Sequence, residues 1–188
     1  MSGDESDLVK RCILGQAEAM RTLIKRFEVD VFGLSVRMLR NNHDAEDVTQ
    51  EVFIRVFRSL SRWDAVRPLR PWIMGITVNR CKTWLAKRSR QPEIVDYLQN
   101  SPDPNRQDDS VELAAEIQSA LADLRPDYRA VFVMFHEMNK SYEEISLIVE
   151  RPVGTIKTWL HRARVKLLDR LKSRGMVASI ESANNDSK

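Results

Sequence analysis

Apolar residues recur every three to four positions through nearly the whole chain, and that spacing constrains the fold more than any other feature. Between Gln16 and Arg40 the residues Ala19, Leu23, Phe27, Val31, Leu34 and Met38 share one stripe, as one face of an α-helix requires. The spacing returns in Ala45, Val48, Val52 and Val56, and again in Ile156, Leu160, Ala163, Leu167 and Leu171. Only six glycines occur in 188 residues, so little interrupts it. The pattern predicts an all-α protein.

Breaks in the pattern predict the organisation. Helices are expected over about Ser6–Leu14, Gln16–Arg40, Asp44–Trp63 and Pro71–Arg88, with "RNNH" and the proline-bearing "DAVRPLRP" as the breaks. Residues 91–110 contain three prolines amid polar residues and read as a flexible interdomain linker. Four shorter helices are expected beyond it: about Val111–Asp123, Pro126–Met138, the stretch "SYEEISLIV", and Val153–Arg174. Residues 175–188 read as a disordered tail. The expectation is two small helical domains, 1–90 and 111–174, the second containing a helix-turn-helix.

The longest apolar runs are a few residues, too short for a transmembrane span, and the acidic start "MSGDESDLVKR" argues against a signal peptide. Cys12 and Cys81 match no metal-ligand spacing and read as reduced thiols in a cytoplasmic protein. No nucleophile–base–orienter set is evident, so neither an enzyme nor a metal or cofactor is expected.

Charge is more informative in its distribution than in its net value of +3. Arg62, Arg67, Arg70, Arg80, Lys82, Lys87, Arg88 and Arg90 cluster against Asp64 alone. Arg151, Lys157, Arg162, Arg164, Lys166, Arg170, Lys172 and Arg174 cluster against Asp169 alone. Two basic blocks suit two contacts with a polyanion, since each cation near a phosphate releases counterion. Either block alone could equally be a solvated helix face.

Residues 141–171 have the layout of a helix-turn-helix. Ser141 and Glu144 form a capping box, Ile145 and Ile148 face the partner helix, and "ERP" makes the turn. With the Ile156–Leu171 stripe inward, Thr155, Thr158, His161 and Arg162 point outward, the face a recognition helix offers to the major groove. Lys157, Arg164 and Lys166 flank that face and suit phosphates. A plain amphipathic hairpin is the bland alternative.

In the first basic block, Trp63, Trp72 and Trp84 interleave with the cations, a combination suited to stacking unpaired bases. Trp63 and Trp84 lie near apolar stripes and read as core. Trp72 can be either. Asn79, further along the same helix, carries an amide able to read a base edge.

"DAEDVTQEVFIRVFRSL", "PWIMGITVNR" and "SYEEISLIVERPVGTIKTWLHRARVKL" together resemble regions two and four of the extracytoplasmic-function (ECF) sigma factors, over about residues 5–172. The resemblance implies a subunit that binds core RNA polymerase and directs promoter recognition, DNA melting and transcription initiation. It implies that the acidic helix docks on polymerase: Asp47, Gln50 and Glu51 share its exposed face, with Arg55 one turn on. It implies that Arg67, Arg70, Trp72, Asn79, Arg80, Lys87 and Arg88 meet the downstream promoter element as melted strand. Thr155, Lys157, Thr158, His161, Arg162, Arg164 and Lys166 would meet the upstream element as duplex. A dedicated anti-sigma factor is a further implied partner. The rival reading is a stand-alone dimeric helix-turn-helix regulator.

Three positions depart from the family pattern. Trp159 stands where Arg is usual, and an indole cannot make the bidentate guanine contact; it implies unusual base reading or packing against the partner helix. Thr83 and Ala86 stand where Asp and Arg are common, shifting the basic cluster to Lys87 and Arg88.

Overall fold

The computed structural model describes residues 2–89 and 109–174, and every regular element among them is helical. In order these are α1 (Ser2–Ile13), α2 (Ala17–Leu39), α3 (Asn42–Ser59), α4 (Leu69–Arg88), α5 (Asp109–Ala122), α6 (Pro126–Phe132), α7 (Tyr142–Val149) and α8 (Val153–Ser173). A short 3-10 turn, Leu60–Arg62, follows α3, and a π turn, Val133–Glu137, extends α6.

Local chemistry sets the breaks. Gly15 takes a left-handed φ of +75°, which an L side chain rarely adopts, and the Gln16 amide closes back on the Arg11 carbonyl at 3.1 Å. Arg40 ends α2 in the left-handed region and bonds Val36 O at 2.7 Å. Asn41 then caps α3, its Oδ1 accepting the Asp44 amide at 3.0 Å. The third helix therefore starts at Asn42, inside the stretch expected to be a break, because an Asn side chain satisfies a first-turn amide. Helix α4 starts at Leu69 rather than Pro71; Pro71 is tolerated there because first-turn amides have no intrahelical acceptor.

Helices α2, α3 and α4 pack on one another, with α1 against α2. Leu23, Phe27, Val31, Leu34 and Met38 are all but fully buried in this group, each contributing about 1.5–3 kcal/mol of burial. In the second half α8 packs against α5, α6 and α7. Its stripe of Ile156, Leu160, Ala163, Leu167 and Leu171 is buried as the spacing predicts.

The two halves do not stand apart. One continuous core joins α2, α3 and α4 to Ala130, Val131, Val133, Met134, Ile145, Ile148, Ile156 and Leu160 of the second half. A smaller cluster under α5 holds Leu121, Leu124, Tyr128, Ala163 and Leu167. The linker expected over 91–110 lies outside the described residues except at 109 and 110, which open α5. The tail expected at 175–188 lies outside them too.

Candidate docking and nucleic-acid surfaces

Helix α3 buries Ala45, Val48, Val52, Phe53 and Val56 and turns Glu46, Asp47, Gln50, Glu51, Ile54 and Arg55 outward. The four residues expected on the docking face thus lie together on the exposed side of one helix. Two of the helix's acids are engaged from α4: Glu51 pairs with Arg80 and Asp44 with Arg88, the latter at 3.1 Å. Burial pushes the Asp44 carboxyl above its ordinary pKa, and the Arg88 guanidinium partly opposes that rise. Arg80 is therefore mostly covered, and Glu51 takes its partner from the neighbouring helix. Arg55, Asn79, Arg80 and Thr83 line a shared 170 Å³ hollow, so the docking face runs directly into the α4 surface.

The loop before α4 is held by Asp64, whose Oδ1 accepts the Val66 amide at 3.0 Å and whose carbonyl accepts the Arg67 amide at 2.9 Å. Trp72 is half-buried, packs on the core and lines a groove of 580 Å³ with Arg67, Gly75, Ile76 and Asn79. Its ring thus packs on the core while part of it stays open to the groove. Trp63 and Trp84 pack against the core as expected, with Arg88 5.2 Å from the Trp84 ring centre. Arg70 pairs with Asp30 and lies 5.7 Å from the Phe27 ring centre. Arg67 pairs with Glu150 at 3.2 Å. Lys87 is exposed at the far end.

In α7 the capping box is closed in both directions: Glu144 N donates to Ser141 Oγ at 3.1 Å, and Ser141 N donates to Glu144 Oε2 at 2.8 Å. These bonds, the backbone one foremost, hold the Glu144 carboxyl below its ordinary pKa. Glu150 turns the chain with φ +52°. Helix α8 then exposes Lys157, Thr158, His161, Arg162, Arg164 and Lys166, with Thr155 half-buried. Arg162 donates to the Tyr128 hydroxyl at 3.2 Å, lowering the phenol's pKa. Arg164 donates to His136 Nε2 at 3.1 Å and covers the Phe135 ring at 5.4 Å. Lys157 lies 5.4 Å from the Tyr142 ring centre. These side chains are oriented by aromatic neighbours of α6 and α7.

Chain comparison decides what this pair of surfaces belongs to. Residues 23–91 match the family description Sigma-70 region 2, and residues 114–167 match Sigma-70, region 4. The chain is 30% identical over 179 residues to the ECF RNA polymerase sigma factor SigW of Bacillus subtilis, covering 87% of this chain and 95% of that one. The chain belongs to the ECF RNA polymerase sigma factors. It is also 35% identical over 155 residues to the sigma factor SigE of Mycolicibacterium smegmatis, covering 79% of this chain and spanning 60% of that relative. The solved sigma factor RpoE from Bartonella quintana, in complex with the anti-sigma factor NepR, shares the fold. Its TM-score is 0.59 at 20% identity, over 81% of this chain and 96% of that one.

Membership sets aside the stand-alone regulator, and sigma factors are not an enzyme class. Among the described residues of this sigma factor, no helix is long and apolar enough to cross a membrane and no cluster could hold a metal ion. Trp159 is half-buried and packs against both apolar clusters, its ring centre 6.3 Å from that of Tyr128; of its two readings, packing is the one seen. Sequence reasoning missed Arg129, which is 5% exposed and sends Nη1 to the Met38 carbonyl at 2.9 Å. Its only sequence signal is a lone cation inside the apolar run "YRAVFVMF".

Proposed function

We propose that this sigma factor docks on core RNA polymerase through Asp47, Gln50, Glu51 and Arg55, and that its cations meet promoter DNA on two separate helices. Helix α8, through Thr155, Lys157, Thr158, His161, Arg162, Arg164 and Lys166, reads the upstream element as duplex. Trp72 and Asn79 capture a base of the melted downstream element, with Arg67, Arg70, Arg80, Lys87 and Arg88 on its phosphates. Extruding that base costs a few kcal/mol, which stacking on Trp72, at about 1–3 kcal/mol, offsets. The chain acts in the cytoplasm, has no catalysis of its own, and binds an anti-sigma factor, as RpoE is found in complex with NepR.

The observation that carries this reading is the opposed charge of two exposed helix faces: carboxylates on α3, guanidinium and ammonium groups on α8. Run-off transcription with core polymerase on genomic DNA tests it. Discrete start sites should arise only when the chain is added. An unchanged transcript pattern would reject the reading.

A further inference from the structure

A buried tyrosine on α6 reaches a guanidinium on the exposed face of α8. Tyr128 lies in the first turn of α6, where its amide bonds the Arg125 carbonyl at 2.9 Å. It is 5% exposed, and its ring belongs to the apolar cluster of Leu121, Leu124, Ala163 and Leu167. Its hydroxyl accepts a hydrogen bond from Nη1 of Arg162 at 3.2 Å. The tyrosine is thus fixed by burial, while Arg162 itself is exposed on α8.

Trp159 touches the same tyrosine. The two ring centres are 6.3 Å apart with the planes tilted at 48°, a separation at which aromatic pairs attract. Trp159 precedes Arg162 by three residues on α8, and residues three apart are neighbours on one helix face. The indole that replaces one guanidinium of the usual family pattern therefore braces the tyrosine that holds the next one. Arg125 lies 5.2 Å from the same ring centre. The phenol's pKa is lowered by the Arg162 hydrogen bond first, then by the charges of Arg162, Arg125 and Lys166.

A free arginine side chain samples many rotamers, and freezing it at a base edge costs entropy. A bond to a fixed hydroxyl removes part of that freedom before DNA arrives. The guanidinium has five N–H donors. One directed at Tyr128 leaves four, enough for the two-point contact with guanine O6 and N7.

We propose that Tyr128 is a positioning residue for upstream-element selection: its hydroxyl, fixed by the apolar cluster and braced by Trp159, holds the Arg162 guanidinium ready for one base pair. The selectivity rests on the assignment of Arg162 to duplex reading; the ordering of Arg162 by the phenol does not.

Two measurements on the full chain separate these claims. In the free protein, nitrogen-15 relaxation should show the Arg162 Nε–H group ordered on the nanosecond timescale. In Tyr128→Phe, which keeps the ring and its packing, that order should fall to the level of the exposed Arg151. The holoenzyme is then titrated with upstream-element duplexes in which each base pair is varied in turn, and Arg162→Ala identifies the pair that Arg162 reads. Tyr128→Phe should lower the preference at that pair by about two- to tenfold, the scale of one hydrogen bond. It should leave the other pairs and unrelated DNA unaffected, and add nothing on top of Arg162→Ala. A merely structural role would weaken every sequence together. Trp159→Leu should reproduce the selective loss, and Trp159→Phe, which restores a ring, should not; full preference in Trp159→Leu overturns the brace. Unchanged Arg162 order in Tyr128→Phe, or a wild-type preference at that base pair, overturns the role of Tyr128. If order falls as expected while Arg162→Ala weakens all DNA equally, the base-reading assignment fails and the phenol orients a phosphate contact instead.

Discussion

Glu51 of α3 and Arg80 of α4 form an ion pair that joins the acidic face to the basic helix behind it. One carboxylate of the proposed docking face is thereby oriented before any partner arrives. Glu51 remains half-exposed within the pair while Arg80 is mostly covered, so losing the carboxylate would leave the guanidinium without its partner.

Reversing charge at Asp47 and Glu51 should therefore weaken docking, and at Asp47 alone should separate docking from folding. Asp47→Lys/Glu51→Lys is expected to lower core-polymerase affinity by about tenfold or more, the scale of a few lost charge contacts. Glu51→Lys also sets a second cation against the mostly covered Arg80 guanidinium, so the double variant should lose some thermal stability, whereas Asp47→Lys alone, at an exposed position, should lower affinity with little change in melting temperature. Affinity chromatography on core polymerase and thermal unfolding check both parts. Assembly at wild-type affinity would remove these residues from the interface.

Arg162 and Tyr128 give a second test, because one bond links a candidate base-reading residue to a titrating phenol. Arg162→Ala removes the hydrogen bond and the positive charge that hold the Tyr128 pKa down. Ultraviolet titration should then show phenolate forming at higher pH than in the wild type. The same variant should weaken upstream-element binding by the holoenzyme by about 1–3 kcal/mol if the guanidinium reads a base. An equal loss on every sequence would make Arg162 a phosphate contact.

These cases show where the sequence was legible. The stripe from Ala19 to Met38 and the Ser141–Glu144 box depend on residues close in the chain, and both formed as their spacing required. The exposure of Asp47, Gln50 and Glu51 followed from burial of Val48 and Val52 on the opposite side. Contacts between elements distant in sequence were not legible. Nothing in "PWIMGITVNR" announces that Gly75 will meet Ile148, or that Arg80 will turn back to Glu51. The shared core likewise depends on how α6 and α7 meet α2 and α4, which periodicity within one helix does not encode.

The capping box sets an acid dependence. Glu144 is held below its ordinary pKa by the Ser141 amide and Lys140. A depressed folded pKa adds stability above the unfolded value and loses it as pH falls through the folded one. Glu144→Gln should thus be less stable than the wild type at neutral pH, with the gap closing in acid. Ser141→Ala, which removes the acceptor for the Glu144 amide, should cost about 0.5–2 kcal/mol. Urea unfolding at several pH values measures both, and a gap independent of pH would assign the effect to packing.

Cys81 sets the alkaline side. It is fully buried, its sulfur 3.9 Å from Ser35 Oγ, and burial pushes its pKa up to about 12. Burial raises Cys12 as well. Since the thiolate is the reactive species, both cysteines should resist Ellman's reagent in the native protein at neutral pH and react fully in denaturant. The sign of the linkage follows from the raised folded value. The contribution of Cys81 is whole below the unfolded thiol pKa of about 8.5 and drains away as pH climbs toward about 12. Cys81→Ala should flatten that alkaline decline while losing some stability at neutral pH to the smaller side chain. Rapid native labelling at Cys81 would mean that the packing between α2 and α4 opens far more readily than its burial implies.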